Sequence, residues 1–434
     1  MRDFLPADKA RRERVLAVIR ERYRAHGFDE IETPVMEEYS RLHAGMGGDN
    51  EKLSFSILKR GMDAEAIRAA ADDPAELADL GLRYDLTVPL ARFYATNRAQ
   101  LPTVFRAIQI APVWRAERPQ KGRYRQFVQC DIDIIGDKSS RAEAELMIAS
   151  LDVLDRLGLQ GGSIRVNDRR LLDAVLEHFG FAPEERPQVL ISIDKLDKIG
   201  FDGVVEDLRR QNLHLRPVEM FASYLRWLFV DRASYEDAGA HVPVSEAAIR
   251  EMLPPNMPEP VVAHLSDLGE TVAAVRGIDV PLVFDPFLVR GMGYYTGTIF
   301  ELAHPRVRYS LGGGGRYDGM IGRFLGENVP AVGFSIGFER IVDLLRDAQD
   351  HDGRSVVLVH DRDTPLGSLL ERKALLVEDG VRVRLEQRPK NLKQLLDRAL
   401  ADGYSFWAPV HAMSVFEPLD LRPLDPNGSN RLFL

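Results

Sequence analysis

The chain has 434 residues, a formal net charge of −9, 45% hydrophobic and 28% charged residues, and a single cysteine, Cys130. One cysteine excludes an internal disulfide framework and a zinc site built from several cysteines. The longest apolar runs, such as QVLISI and SVVLVH, are far shorter than the ~20 residues that cross a bilayer, and MRDFLPADKARRERV carries charges where a signal peptide has an apolar core. We therefore expect a cytoplasmic protein of two or three domains. The acidic net charge argues against a dedicated nucleic-acid binder, but it permits a local basic patch.

The first part of the chain predicts a helix followed by strands. Apolar residues at helical spacing indicate a helix over 7–25. The segment GFDEIETPVME is predicted to turn at Gly27 and to enter a strand that ends at Pro34. The Ala- and Asp-rich segment 62–80 predicts a short helix. LRYDLTV, FRAIQIAPVWRA and YRQFVQCDIDIIG then alternate with the period of strands, and the charged connection ERPQKGRY makes the last two an antiparallel hairpin with a basic loop.

The rest of the chain predicts helices, further strands and a small final domain. A long helix is expected over 140–158 and mostly helical structure over 166–280. Strands resume within LVFDPFLVRGMGYYTGTIFELA. The segment LGGGGRYDG is predicted to be a glycine-rich turn, and AVGFSIGFERIVDLL a strand that runs into a helix. From about residue 354 the order βαβαβ predicts a separate α/β domain.

Arginines stand near several predicted strand ends. Arg115 ends one strand, Arg123 and Arg125 lie across the loop from it, Arg290 precedes a glycine and two tyrosines, and Arg340 follows a strand. The guanidinium group offers a planar fork of donors that matches phosphate oxygens. Converging on one sheet face, these side chains would suit a bound triphosphate. Surface salt bridges are an equally good interpretation of any one of them.

Acids and tyrosines supply the other candidate groups. Asp85, Asp131 and Asp133 lie in apolar, strand-like contexts, and the last two point to the same sheet face. They could hold an ammonium group or, through water, Mg²⁺; the alternative is a structural pairing with an arginine. Tyr294 and Tyr295 offer rings and hydroxyls to a small polar aromatic group such as imidazole, although a pair of core tyrosines is the commoner arrangement. The glycine run lacks the Lys-Ser/Thr of a P-loop.

No His/Glu metal spacing and no Gly-x-Ser-x-Gly nucleophile segment occurs in the sequence. The residues alone therefore predict a catalyst that works by positioning and electrostatics on a phosphate-bearing ligand.

Taken together, these segments resemble the histidyl-tRNA synthetase family. FDEIETPVME resembles the first motif of the class II synthetases, with Pro34 at the dimer interface. VWRAERPQKGRYRQFVQCDIDIIG is similar to the second motif and AVGFSIGFERI to the third. LVRGMGYYTGTIFE and GGGGRYDGMIG resemble the two segments peculiar to the histidine enzymes. RVNDRRLLDAV and SIDKLDKIGF resemble the eukaryote-like branch.

The resemblance implies an α+β fold, in which helices flank the antiparallel sheet of the class II synthetases. It implies a catalytic core over 1–165 and 281–346, a helical insertion over 166–280, and a shortened anticodon-binding-like α/β domain over 354–434. The activity it implies is a ligase reaction that activates histidine with ATP and transfers it to tRNA(His), with Mg²⁺ bound through the phosphates, no metal bound by the protein itself, and a homodimeric enzyme.

The family's residue roles carry over where the motifs match. The implied catalytic residues are Arg115, Arg290 and Arg340. The implied ATP-binding residues are Arg115, Glu117, Arg123 and Arg340. The implied histidine-binding residues are Asp85, Thr87, Gln129, Asp133, Arg290, Tyr294, Tyr295 and Tyr317. The implied tRNA contacts are Gln120 and the basic residues Arg382, Arg384, Arg388 and Lys390, for which a solvated surface is an equal alternative.

The sequence departs from the family at three points. Gly293 replaces an aspartate of GLDYYTG, the segment DNEKLSFSILKRG is unlike its counterpart, and the tail after Val410 matches poorly. These departures leave two alternatives open. One is a paralogue that makes an aminoacyl-adenylate for an acceptor other than tRNA. The other is a histidine-sensing regulatory subunit of ATP phosphoribosyltransferase, which the presence of Arg115, Arg290 and Arg340 disfavours.

Overall fold

The structure is a computed structural model. It describes residues 2–43, 53–70, 72–118, 124–228, 242–276, 282–290, 294–345, 352–411 and 418–425. The described residues between 15 and 341 form one compact unit, and those from 342 onward, together with 2–14, form a second. None of the helices in these ranges is both long and apolar enough to cross a membrane.

The described strands are, in chain order, β1 (Asp29–Glu30), β2 (Met36–Glu38), β3 (Phe55–Leu58), β4 (Ala78–Leu82), β5 (Phe105–Trp114), β6 (Gln126–Ile135), β7 (Ser163–Asp168), β8 (Leu282–Phe284), β9 (Thr298–His304), β10 (Val307–Arg316), β11 (Ala331–Gly337), β12 (Asp352–His360), β13 (Arg382–Gln387), β14 (Tyr404–Val410) and β15 (Arg422–Pro423). The main sheet of the first unit has the order β1-β5-β6-β11-β10-β9-β7-β8. Its neighbours from β5 to β7 are antiparallel, and β1 and β8 add a parallel pair at each end.

Two smaller sheets have the orders β2-β4-β3 and β13-β12-β14-β15, and the described helices flank the sheets. They are α1 (Pro6–Ala25), α2 (Tyr39–Leu42), α3 (Ala64–Ala69), α4 (Pro74–Leu77), α5 (Thr87–Asn97), α6 (Ser140–Arg156), α7 (Arg169–His178), α8 (Arg186–Ile193), α9 (Leu196–Arg210), α10 (Leu215–Arg226), α11 (Glu246–Met252), α12 (Glu259–Arg276), α13 (Asp318–Leu325), α14 (Phe338–Leu344), α15 (Leu366–Glu378) and α16 (Leu392–Ala401). The helix predicted over 7–25, the hairpin β5–β6 and the helix predicted over 140–158 are confirmed. So is the predicted antiparallel sheet flanked by helices.

Strand register brings one row of residues into line across the main sheet. Directly paired residues of adjacent strands point to the same face, so the row forms a continuous surface. Its members from β5 to β7 are Gln109, Asp131, Ser335, Gly313, Glu301 and Arg165. The row is polar except for one glycine, which marks this face of the sheet as a place for a ligand.

The strand predicted for LRYDLTV is wrong after Leu82, where β4 ends. Thr87 begins α5 instead, because the Oδ1 atom of Asp85 accepts the backbone N–H of Val88 at 3.2 Å, and Pro89 needs no hydrogen bond in a first helical turn. The alternating pattern indicated a strand, but the hydrogen bond that Asp85, one residue before the N-cap Leu86, accepts from Val88 and the helix-compatible Pro89 favoured a helix. The change places Asp85 in a turn immediately before a helix.

The turn predicted for LGGGGRYDG is also wrong, because this segment forms the end of β10. Phe300 and Phe334 flank Gly314 on the adjacent strands, and their rings stack across it with centroids 5.3 Å apart. A Cβ on Gly314 would lie 1.8 Å from the carbonyl oxygen of Gly333 and 2.9 Å from the Phe300 ring. The glycines therefore allow close strand packing instead of chain reversal.

Two further predictions are corrected in detail. The strand expected to end at Pro34 is only the short β1, and Ile31 continues it by donating to the carbonyl of Ile108 at 2.9 Å. The single helix expected over 62–80 is divided into α3, α4 and the start of β4. Asp73 causes the division, because its side chain accepts the backbone N–H of Ala75 at 2.9 Å and starts a new helix at a proline.

The second unit contains the βαβαβ order predicted for the tail. β13, β12 and β14 pair in parallel, and β15 adds an antiparallel edge. Val356 and Leu358 pack in a cluster with Leu376 of α15, whereas Val357 and Val359 pack in another cluster with Ala399 of α16. The near-continuous apolar run of β12 is thus explained, since both faces of a parallel sheet are covered.

Candidate active site

A cavity of about 660 Å³ lies on the polar face of the main sheet. Its walls include the row residues Asp131, Ser335, Gly313, Glu301 and Arg165. Most of the residues predicted for the site also line it: Asp85, Thr87, Arg115, Glu117, Gln129, Asp133, Arg290, Tyr294, Tyr295, Tyr317 and Arg340. The strands and turns that carry these residues are far apart in the chain, and sheet pairing brings them together.

A buried cluster of acceptors occupies the β6–β11 part of the cavity. The amide of Gln129 donates to Oδ2 of Asp131 at 3.1 Å and to the hydroxyl of Ser335 at 3.2 Å. Ser335 in turn donates to Asp131. Tyr317 donates to Oδ1 of Asp133 at 2.5 Å. Both aspartates point to the same sheet face, as their spacing predicted.

Two acceptor atoms of this cluster are buried without a hydrogen-bond partner within the described part of the chain: Oδ2 of Asp85 and Oε1 of Gln129. Burial raises the pKa of Asp85 to about 6 and the pKa of Asp133 to about 7. Burial, assisted by the neighbouring charge of Asp133, raises the pKa of Asp131 well above its usual range. Unpaired buried acceptors beside buried acids can receive a cationic group, whose charge would favour the ionised form of the acids.

Three tyrosines form an aromatic wall beside these acids. The rings of Tyr294 and Tyr295 are 4.8 Å apart in an edge arrangement, and those of Tyr294 and Tyr317 are 6.1 Å apart. Burial raises the pKa of all three hydroxyls, which keeps them neutral hydrogen-bond donors at physiological pH. Tyr294 and Tyr317 also belong to the core packed around α5 and α13. The core interpretation of the tyrosine pair and the ligand interpretation are therefore compatible.

Arg115 and Arg340 are fixed by carbonyl oxygens and aromatic rings. Nε of Arg115 donates to the carbonyl of Tyr84 at 3.0 Å, and its guanidinium group lies 5.0 Å from the centre of the Phe127 ring. Arg340 donates to the carbonyl of Ser310 and lies 5.6 Å from the centre of the Tyr309 ring. The carboxylate of Glu339 accepts the backbone N–H of Val128 at 3.3 Å, which ties α14 to β6.

Arg290 lies flat against β10. A Cβ on Gly313 would be 2.8 Å from its guanidinium carbon, so only glycine leaves room for this side chain. Nη1 of Arg290 donates to Oε2 of Glu301 at 3.0 Å. Burial lowers the pKa of Arg290, but the Glu301 carboxylate outweighs that effect and the net pKa is raised. The positive charge is therefore held permanently inside the cavity.

The charged end of the cavity, formed by Arg165, Asp194, Asp197, Asp285 and Glu301, was not predicted from the sequence. One signal was present: Glu301 is a charged residue in the apolar strand sequence TIFELA, the same pattern that identified Asp133. The other members come from a strand, a helix and a turn, and only the fold brings them together.

Several predicted residues lie elsewhere. Gln120, Arg123 and the departure at Gly293 are outside the described residues. Arg125 is exposed, does not line the cavity, and donates through Nε to the carbonyl of Glu117 at 3.2 Å. The basic residues Arg382, Arg384, Arg388 and Lys390 belong to the second unit. There Arg384 pairs with Asp402 at 2.7 Å, and both Arg382 and Arg384 lie over the Tyr404 ring.

Known proteins match most of this chain, from 79% to 98% of its length. A histidine–tRNA ligase of Leifsonia xyli is 56% identical over 428 residues, which cover 98% of this chain and 97% of that protein. A probable histidine–tRNA ligase of Tropheryma whipplei is 40% identical over 93% of each chain. A histidine–tRNA ligase of Aeropyrum pernix is 41% identical over 79% of this chain and 72% of that protein.

Solved structures share the fold. The histidyl-tRNA synthetase of Nostoc sp. PCC 7120 superposes with a TM-score of 0.72 at 24% identity, over 95% of this chain and 90% of that one. A Bacillus halodurans protein described as an ATP phosphoribosyltransferase regulatory subunit/histidyl-tRNA synthetase gives 0.71 at 20% identity, over 95% and 97%. The sequence profile described as Histidyl-tRNA synthetase matches residues 1–341. With that match and relatives at 40% identity and above over at least 93% of the chain, this protein belongs to the histidyl-tRNA synthetase family.

Proposed function

We propose that this chain is a histidine–tRNA ligase, which activates histidine with ATP to histidyl-adenylate and transfers the histidyl group to tRNA(His). One observation carries the proposal beyond family membership. A single cavity holds buried acceptors with two unpaired oxygens, three neutral tyrosines and four arginines, three of which are Arg115, Arg290 and Arg340. This combination suits an amino acid with an ammonium group and an imidazole beside a polyphosphate.

Histidine would bind at the β6 end of the cavity. Asp85, Thr87, Gln129 and Asp133 would hold its ammonium group and backbone, because the unpaired oxygens of Asp85 and Gln129 are the acceptors that an ammonium group needs. The rings and hydroxyls of Tyr294, Tyr295 and Tyr317 would enclose the imidazole. Binding a cation there would offset the repulsion between the buried acids and favour their ionised forms.

ATP would lie along the arginines. Arg115 would hold the α-phosphate and Arg340 the γ-phosphate, with Glu117 and Arg123 at the nucleotide. A carboxylate oxygen of histidine would attack the α-phosphorus, the bond from that phosphorus to its bridging oxygen would break, and diphosphate would leave. Arg290 would stabilise the charge that develops on the α-phosphate oxygens, since a fixed donor in a partly buried site needs little reorganisation. Mg²⁺ would neutralise phosphate oxygens when bound, and the carboxylates of Glu117 and Glu339 at the cavity are oxygen ligands of the kind it accepts.

In the second step a hydroxyl of the terminal ribose of tRNA would attack the histidyl carbonyl carbon and release AMP. In this proposal residues 1–165 and 281–346 form the catalytic core, 166–280 form the helical insertion, and 354–434 form an anticodon-binding-like domain. A homodimer through the segment that contains Pro34, and a cytoplasmic location beside the tRNA pool, belong to the same proposal.

Histidine-dependent exchange between ATP and labelled diphosphate, run beside charging of total tRNA by the same sample, tests the proposal. We expect both activities. Exchange without charging would replace it with a paralogue that serves another acceptor. Neither activity, with histidine still bound, would replace it with a regulatory histidine sensor.

A further inference from the structure

The carboxylate of Glu301 joins two arginines. Its Oε2 atom accepts from Nη1 of Arg290 at 3.0 Å, and its Oε1 atom binds Nη2 of Arg165. Glu301 is paired in register with Gly313 on one side and with Arg165 on the other. The carboxylate therefore lies directly beside Gly313, the glycine that the Arg290 guanidinium group covers.

Arg165 extends this chain of charges outward. Its Nη1 atom lies 3.1 Å from Oδ2 of Asp285, and its Nη2 atom lies 2.8 Å from Oδ2 of Asp197. Asp197 is in the first turn of α9, within the mostly helical part of the chain, and its side chain is 63% exposed. Arg165 thus links a strand of the main sheet to a helix that borders the cavity.

The backbone that leads to Arg290 is fixed by Asp285 and by Asn167, a neighbour of Arg165 on β7. Asp285 accepts the backbone N–H of Phe287 at 3.0 Å, and Asn167 donates to the carbonyl of Leu288 at 3.3 Å. Arg290 follows two residues later. Residues of β7 therefore fix the backbone before Arg290, and Glu301 of the neighbouring strand β9 fixes its guanidinium group.

We infer that Glu301 and Arg165 are positioning residues for Arg290. Asp197 connects this relay, the chain of ion pairs from Arg290 through Glu301 to Arg165, to α9. The rate of adenylate formation would therefore depend on a contact at the helical edge of the cavity. The inference rests on the proposed function. The relay acts on rate more than on binding, because Arg290 is expected to serve the transition state, and small displacements of such a group are costly.

Glu301→Gln is the first test, because glutamine keeps the shape but loses the charge that serves both arginines. We expect kcat for diphosphate exchange to fall by about 10- to 100-fold, with KM for histidine and ATP changed by less than about 3-fold. The unfolding temperature should fall as well, because two partly buried arginines lose their shared carboxylate, so the rates are compared at a temperature where the variant stays folded. The same substitution in an Arg290→Ala background should cause no further loss, because Glu301 then has no side chain to position. A further loss of equal size in that background would overturn the inference, since Glu301 would be acting independently of Arg290.

Asp197→Asn tests the outer link without disturbing the buried pair. An exposed ion pair contributes little to stability, so the variant should fold normally and lose about 3- to 10-fold in kcat through the weakened hold on Arg165. Glu219→Gln is the matched control, because it removes another exposed pair, with Arg209, from α10 and should leave exchange unchanged. Equal rates for Asp197→Asn and the wild type would overturn the link to α9.

A wild-type protein without exchange would overturn the proposed function itself, whereas wild-type exchange with an unaffected Glu301→Gln variant would overturn only the relay.

Discussion

At the scale of single residues, the acids of the cavity oppose one another's ionisation. Asp85 and Asp133 are both buried, and the charge of Asp85 adds to the effect of burial on the pKa of Asp133. A carboxylate in such a place costs free energy unless a cation accompanies it. Without ligand, this unfavourable free energy lowers the stability of the folded protein, and a bound ammonium group would remove it. Buried acids in apolar strands are therefore a better guide to the site than the arginines, which also form ion pairs elsewhere.

The titration of Asp133 predicts how stability changes with pH. Its pKa is raised from 3.8 to about 7 in the folded protein, so the folded state holds the proton more tightly than the unfolded chain. The stability it contributes is complete below pH 3.8 and is lost as the pH rises through about 7. At about 1.4 kcal/mol per pKa unit, Asp133→Asn should stabilise the ligand-free protein at pH 8 by up to about 4 kcal/mol. Thermal unfolding between pH 5 and pH 8 measures this.

Asp133→Asn should also bind histidine at least about 10-fold more weakly at pH 8, because a charge-assisted hydrogen bond is lost. The exposed Asp79 on β4 supplies the control, since Asp79→Asn should change neither stability nor binding. If Asp133→Asn were less stable than the wild type at pH 8, the assignment of a strained carboxylate would be wrong.

At the scale of elements, the glycine-rich end of β10 determines the shape of the cavity floor. Gly313→Ala should bring Cβ to 2.8 Å from the Arg290 guanidinium carbon and 2.7 Å from the carbonyl oxygen of Phe300. We expect a loss of about 1–3 kcal/mol in stability from overpacking and a fall in diphosphate exchange of about 100-fold from displacement of Arg290. Calorimetric unfolding and exchange rates check the two effects separately.

Gly319→Ala is the matched control for that substitution. Gly319 lies in α13, shortly after the end of β10. A Cβ there would meet nothing nearer than a methyl of Thr296 at 3.9 Å. Alanine in a helix should be neutral or stabilise by up to about 1 kcal/mol, with exchange unchanged. Equal behaviour of the two variants would show that Arg290 does not depend on the open surface of β10.

Elements with long, regular patterns were predictable from the sequence, and elements set by local contacts were not. The hairpin β5–β6, the helix α6 and the strand β12 follow from periodicity. The start of α5 depends on one side chain, Asp85, and the extended glycine run depends on neighbours far along the chain. For the same reason Asp133 was found by its apolar context, whereas the pairing of Glu301 with Arg165 required the strand register.

At the scale of the whole molecule, the net charge of −9 opposes long-range attraction of tRNA. A tRNA contact would therefore need a local concentration of positive charge. The segment from β13 to the start of α16 provides one, with Arg382, Arg384, Arg388, Lys390 and Lys393. Arg384 is engaged in ion pairs with Glu386 and Asp402, and Nη1 of Arg388 lies 3.7 Å from Oδ1 of Asp361. Arg382, Arg388 and Lys390 are nevertheless exposed to solvent.

Replacing Arg388 and Lys390 by glutamate in the full chain tests whether this segment binds tRNA. Each phosphate contact that is lost should reduce the slope of log affinity against log salt by about 1, so the double variant should raise KM for tRNA most strongly at low salt. Diphosphate exchange should stay unchanged, because neither residue belongs to the unit that holds the cavity. Replacing Arg216 and Arg226 by glutamate, at exposed positions on α10, changes the net charge by the same amount and serves as the control for charge alone. A KM for tRNA that responds equally to both changes would mean that this segment is only a solvated surface, and that tRNA recognition depends on another part of the chain.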